Sequence, residues 1–234
     1  MNRKKKLAGL GALGLGLALG ARIAAPAQGL DAQGQRVTNL LREVLSEKVK
    51  NASFTITPTA DARSGYFSEV VISGAPVRIK HTRLSGLLLH ARHVHVSVSQ
   101  LINERKITTL GAVTNLRATI TENDLDQLLA EGKHTADMHL HVKFLPGAKL
   151  RVAGNWHWTM LNGPVVGVGH LRLAPGNKVN IDVLSLKLNG AEVPGWVKSK
   201  FNEKLNPILD YTDVPFQPRF NGLKVVGSTA TLYA

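Results

Sequence analysis

The sequence predicts an α+β fold: a long, strongly curled antiparallel β-sheet wrapped around amphipathic N- and C-terminal helices. Three observations lead there. Period-2 alternation of apolar and polar residues fills the middle of the 234-residue chain. Apolar residues recur at long helical spacing in only two places, around Leu41 and around Phe201. Two such helices are too few to cover both faces of a parallel sheet, and a twisted sheet of roughly eight to ten strands tends to curl.

The first 27 residues read as an export signal. Arg3, Lys4, Lys5 and Lys6 give a positive start, Leu7 to Gly20 is an apolar run, and Ala25-Pro26-Ala27 offers a small-residue cleavage site. The run falls short of the about 20 residues that span a bilayer. Arg22 stands close to the cleavage site, so an uncleaved N-terminal membrane anchor is the alternative. Either way the body of the protein, residues 28–234, is expected outside the cytoplasm, in the periplasm or cell envelope, as a single domain.

From Gln33 to Lys50, Val37, Leu40, Leu41, Val44, Leu45 and Val49 make one apolar helix face. Strands are expected over Ala52–Thr57 and Tyr66–Ile72, then a turn at Gly74-Ala75-Pro76 and a further strand. The central stretch, Leu84 to Glu131, reads as two long strands and a short helix. In the first strand Val94, Val96 and Val98 share one face, with His93, His95, Ser97 and Ser99 on the other. The helix is announced by Thr121 as N-cap, with Asp124 three residues on to complete a capping box. Leu125, Leu128 and Leu129 form its stripe, and Gly132 stops it.

Beyond it, Met138, Leu140, Val142 and Phe144 alternate with polar residues, and Pro146-Gly147 turns the chain into Lys149–Trp158. Asn162-Gly163-Pro164 is expected to turn it again into Val165–Leu173. Pro175-Gly176-Asn177 then leads to Val179–Leu188, with Gly167 and Gly169 placed for a bend or bulge. Pro194 opens the last helix, whose stripe is Val197, Phe201, Leu205, Ile208 and Leu209. Pro207 ends or kinks it, and a Pro-rich crossing leads to a last strand.

The runs LSGLLLHARHVHVSVSQLI and ATITENDLDQLLA resemble the LmeA-like family of cell-envelope phospholipid-binding proteins. Leu84, Gly86, Val94, Val96, Ile120, Thr121, Asp124, Leu125 and Leu128 carry the resemblance. It implies a single lipid-binding domain over 28–234 that takes phospholipid in an apolar groove and handles envelope lipid or supports envelope assembly. A sheet curled around long helices is also similar to the tubular (TULIP) lipid-binding arrangement. On these likenesses the groove is assigned to Leu41, Val44 and Leu45, to Val94, Val96 and Val98, to Met138, Leu140 and Val142, and to Phe201 and Leu205.

Charge supports an anionic lipid. With the leader set aside, 24 basic residues face 16 acidic ones, a balance that suits an anionic membrane surface. Nucleic acid is the weaker partner, because the bases are scattered, aromatics are few and no nucleic-acid motif is present. Arg78, Lys80, His81 and Arg83 cluster beside the Leu84-Ser85-Gly86 turn. Arg78, Lys80 and Arg83, with Trp156 and Trp158 two apart on one strand, are the candidates for meeting headgroups or the membrane surface. Core packing is the competing reading of the two indoles, and a solvated basic run that of the cations.

Catalysis finds little footing. The chain has no cysteine, which excludes a thiol nucleophile and a zinc-thiolate site. No G-x-S-x-G, H-E-x-x-H or P-loop occurs. His93-x-His95 and His139-x-His141 each place two imidazoles on one strand face, yet no acid completes a metal set, so no metal and no cofactor is assigned. The reading is therefore a non-enzymatic, exported phospholipid-binding protein. The alternative is a structural or adaptor protein of the envelope that uses its sheet to bind other proteins.

Overall fold

The structure is a computed structural model and describes residues 30–133, 135–158, 161–212 and 214–234; the expected leader, residues 1–27, lies outside them. The chain opens with α1 (Ala32–Lys48), β1 (Val49–Lys50), β2 (Ser53–Pro58), β3 (Tyr66–Gly74), β4 (Val77–Ile79), β5 (Thr82–Leu84) and β6 (Gly86–Val96). There follow α2 (Val98–Glu104), β7 (Thr109–Thr121), α3 (Glu122–Glu131), β8 (His141–Leu145), β9 (Lys149–Trp158), β10 (Leu161–Ala174) and β11 (Lys178–Leu188). The chain ends with β12 (Ala191–Glu192), α4 (Gly195–Leu205), β13 (Leu209–Asp210), β14 (Gly222–Val226) and β15 (Thr229–Tyr233).

All described pairings are antiparallel, and the class is α+β as expected. The single curled sheet is not what forms. The strands divide into a first large sheet ordered β14-β15-β7-β6-β3-β2, a second ordered β12-β11-β10-β9-β8 with β13 on β11, and a small β1-β4-β5 sheet. Neither large sheet closes into a barrel or curls strongly. A sheet of so many strands can split instead of curling, and this one splits where α3 and the turn after it interrupt the strands.

Each helix rests on a local sequence cause. Asp31 caps α1 by accepting the Gly34 N–H at 2.6 Å, and Val37, Leu41, Val44 and Leu45 are buried along its inner face. The capping box of α3 is present: the Thr121 hydroxyl accepts the Asp124 N–H at 3.2 Å while the Asp124 carboxylate accepts the Thr121 N–H at 2.9 Å. Pro194 precedes α4, which ends at Leu205, so Ile208 and Leu209 are buried beyond the helix.

Four local expectations are corrected. Ser97 acts as an N-cap rather than a strand residue, its hydroxyl accepting the Gln100 N–H, so Val98 begins α2 instead of continuing the valine face. Met138 and Leu140 are buried but precede β8, with His139 in the left-handed region at φ 45° between them. Residues 162–164 lie inside β10, paired with β9, so no turn stands at Asn162-Gly163-Pro164. The last strand is a hairpin of β14 and β15 joined at Gly227 (φ 57°) and Ser228.

The irregularity expected at Gly167 and Gly169 lies across from them: the extra residue is Leu184 of β11, opposite Val168 and Gly169. The β10–β11 register shifts between Val168 and Gly169, and a Cβ on Gly169 would lie 2.5 Å from Ile181 Cγ1. On the same face a Cβ on Gly167 would press to 3.4 Å from the Phe201 ring, so the bare backbone lets α4 settle onto the sheet.

Candidate functional site

A cleft of about 340 Å³ opens where four segments distant in sequence converge. They are the β4–β5 hairpin, the C-terminal half of α3 with its following turn, the last turn of α4, and the chain from Pro207 to Val214. The volume is at the small end of ligand pockets.

Local bonds hold each wall in place. Arg78 forks onto the Glu131 carboxylate at 2.7 and 2.8 Å, and Arg83 reaches Asp124 at 3.5 Å and Gln127 at 3.3 Å. Two arginines thus clamp the β4–β5 hairpin to α3, which frees the residues between them to face the cleft. Beneath the clamp, Asp124 is 1% exposed and also accepts hydrogen bonds from the Ser85 and Thr121 hydroxyls. On the opposite wall Asn206 mimics a strand. Its amide oxygen accepts the Ile181 N–H at 2.7 Å and its amide nitrogen donates to the Ile181 carbonyl at 2.9 Å. This pins residues 206–211 against β11.

The lining is apolar inside and cationic at the rim. Ile79, Leu128, Leu129, Leu205, Ile208 and Val214 supply the apolar walls, while Lys80, His81, Lys133 and Lys204 bring positive or titratable groups. Asp210 is the acid among the lining residues. Burial pushes its carboxyl pKa up, but the Thr212 hydroxyl and N–H, with Lys178 and Lys80, hold it below the ordinary value, so it stays ionised.

Tyr211 is the unusual member. It lines the cleft with its ring edge-on to Phe220 at 5.3 Å, and its hydroxyl is buried with no hydrogen-bond partner. Burial, and secondarily the charge of Asp124, pushes its pKa above the usual phenol value, so it remains a neutral donor. A buried unpaired hydroxyl costs about 1–3 kcal/mol. A polar ligand group able to accept from it would recover part of that cost.

Two residues singled out from sequence, Leu205 and Lys80, meet in this cleft. Arg78 and Arg83 border it through the clamp. Leu41, Val44, Leu45, Val94, Val96, Met138, Leu140, Val142 and Phe201 are each at most 5% exposed and belong to the closed core. Val98 is half-buried at the start of α2. Trp156 is 1% exposed and packs on Phe201 at 5.0 Å, a position that fits core packing and not a groove mouth. The Trp158 side chain lies outside the described residues.

The histidine pairs do not act as pairs. A β-bulge with His93 at φ 50° separates it from His95, whose ring stacks on Tyr66 at 3.9 Å. His139 sits in a left-handed turn, while His141 contacts Asp126 at 3.1 Å. Among the described residues no group of three or more His, Asp or Glu converges as a metal would need.

Lys133, Lys204, Tyr211 and Asp210 were not legible as site residues. No spacing links them, since Lys133 follows α3, Lys204 lies in the last turn of α4 and the adjacent Asp210 and Tyr211 stand at the end of β13. The one usable signal was the stripe that placed Leu128 and Leu129 together with Gly132.

The model of a family described as LmeA-like phospholipid-binding matches residues 28–234, nearly the whole chain. No match was found among curated proteins or among solved structures.

Proposed function

The chain belongs to the LmeA-like phospholipid-binding family, and from that premise we propose that it holds its phospholipid at the cleft between the β4–β5 hairpin, α3 and residues 205–214. The observation that carries this is the arrangement of the lining: apolar walls behind a rim of Lys80, Lys133 and Lys204, with the unpaired Tyr211 hydroxyl at the wall. A lipid has the same two-part chemistry. Each buried acyl CH₂ contributes about 0.8 kcal/mol, and the lysines favour an anionic phosphodiester.

At about 340 Å³ the cleft accepts only part of a two-chain lipid. Loading then requires the α4 end and the β4–β5 hairpin to part, exposing the core behind them, where Leu205 is already shared between cleft and core.

The positive start, apolar run and small-residue site of residues 1–27 support export, either cleaved or anchored, and hence an envelope location. The role is carriage or presentation of lipid without chemistry on it. Among the described lining residues there are lysines and one acid, Asp210, but no nucleophile and base in hydrogen-bond contact.

Organic extracts of natively purified protein, analysed by mass spectrometry, test the reading. Stoichiometric phospholipid is expected, mostly anionic, and Leu128→Trp, which fills the cleft, is expected to lose it while the protein stays folded by circular dichroism. Lipid retained in that variant would place the ligand elsewhere. Protein that carries no lipid and takes none from vesicles would leave the adaptor reading in front.

A further inference from the structure

The second large sheet has two unlike faces. Its inner face carries Leu150, Val152, Trp156, Val165, Ile181 and Leu186, all buried under α4 and the rest of the core. Its outer face collects every Lys and Arg of β8 to β11. The register puts Lys143 opposite Arg151, Arg151 opposite Val168, Lys149 opposite His170, Arg172 opposite Asn180, Lys178 opposite Ala174 and Lys187 opposite Val166. Against these six bases the same strands hold one acid, Asp182.

Some of that charge is answered. Arg172 pairs with Asp182 at 2.8 Å, Lys143 with Glu122 at 3.0 Å, and Lys178 with Asp210 at 3.8 Å. His141, on the same face, meets Asp126, and His170 stands opposite Asp182. Lys149, Arg151 and Lys187 remain as the excess. Strands about 4.8 Å apart make this face roughly 20 Å wide. Its bases lie within about one screening length of their neighbours at moderate salt and act on a facing surface together.

We propose that the outer face of this sheet is the surface by which the protein docks on an anionic phospholipid bilayer. The proposal rests on the phospholipid reading above. A flat positive face complements a flat negative one, each Lys or Arg near such a surface adding to the attraction. Two more observations favour the bilayer over a nucleic acid. By register no Phe, Tyr or Trp points from this face, so it offers no platform on which bases stack. The face also runs into the cleft: Lys178 belongs to it, and its partner Asp210 lines the cleft. A protein seated this way holds the lipid-binding rim at the margin of the contact. At the neighbouring edge Leu184 is 50% and Trp196 59% exposed. The Lys198 ammonium on the Leu184 carbonyl, at 3.1 Å, ties the first turns of α4 to that edge. Indole is favoured at a membrane interface.

The test uses residues 28–234, the span the family model covers, and vesicles of phosphatidylcholine with or without phosphatidylglycerol. Binding is expected only to the anionic vesicles and is expected to fall with salt. The K149Q/R151Q/K187Q variant should bind about a hundredfold more weakly, yet take up a soluble short-chain phosphatidylglycerol as the wild type does. A variant that binds anionic vesicles like the wild type overturns the proposal. So does a duplex DNA that binds more tightly than the vesicles and is released by the same substitutions. Failure of the wild type to take up the soluble lipid counts against the cleft alone and leaves vesicle docking as a separate result.

Discussion

The two large sheets are built alike on the inside and differ on the outside. In both, one face of alternating strands is apolar and buried: Leu89, Ala91, Ile120 and Leu232 in the first, Val152, Val165, Ile181 and Leu186 in the second. The first sheet turns outward Tyr66, Leu88 and Val113, all at least 44% exposed, with Arg92, Arg117 and Lys224 against Glu69. The second turns outward six bases against one acid. Buried faces answer to the requirement of packing, which both sheets share. Glu122, Asp182 and Asp210 answer three of the six bases; the other three, Lys149, Arg151 and Lys187, repel one another and suit a partner outside the molecule.

The inner faces also differ in how they are covered. The first sheet is backed by α1, which packs on β2, and the second by α4, whose Phe201 ring packs on Trp156, with α3 along β8. Of the α4 side chains buried there, Val197, Phe201 and Leu205, truncating the large Phe201 ring should cost most. Phe201→Ala removes a ring 1% exposed and is expected to destabilise by about 3–5 kcal/mol. Leu41→Ala in α1 removes a smaller side chain and should cost about 2–5 kcal/mol. Urea midpoints of the two variants measure this. A loss under about 1 kcal/mol for Phe201→Ala would show that α4 is detachable and would overturn the view of it as the cover of the second sheet.

The join between the sheets comes next. Asp124 sits at the end of the first sheet, buried under the Arg83 clamp and accepting from Ser85, the Thr121 N–H and the Thr121 hydroxyl. Asp124→Ala orphans these donors and is expected to cost about 2–3 kcal/mol. It should also loosen the α3 wall of the cleft. Hydrogen exchange of the amides of α3 reads this directly. Unchanged protection in the variant would mean that the capping box does not hold the wall.

Sequence alone carried the elements further than it carried the site. The capping box, the valine face up to Val96 and the spans of α1, β9 and β11 were legible because each is a local pattern of spacing and caps. The division into two sheets was not, because alternation tells which face of a strand is buried and not which strand it pairs with. The cleft was least legible. Lys80, Lys133, Lys204 and Tyr211 come together only through the Arg78–Glu131 and Asn206–Ile181 contacts, which span 53 and 25 residues. The basic face lay hidden in the same way. Its six residues read as scattered charges until pairing brought them side by side.

The smallest effect probes the last contact between the sheets, and it depends on pH. Edge strand β8 offers unpaired N–H groups to α3, which answers with carboxylates: Phe144 N–H to Glu122 at 2.7 Å and Val142 N–H to Asp126 at 2.6 Å. Burial pushes the Glu122 carboxyl pKa upward, but the hydrogen bonds from Lys143 and from the Phe144 N–H outweigh it and leave the pKa below the ordinary 4.5. A carboxylate with a depressed folded pKa stabilises the fold fully above its unfolded value, and that stability is lost as pH falls through the folded value. Glu122→Gln keeps the acceptor for the Phe144 N–H but removes the charge. It is expected to lower stability by about 1 kcal/mol at neutral pH and to make no difference well below pH 4.5, where the wild-type group is protonated. Urea midpoints across that window should show the two curves converging on the acid side. Curves that stay parallel would mean that the charge of Glu122 does not help to hold β8, leaving Asp126 as the carboxylate that ties β8 to α3.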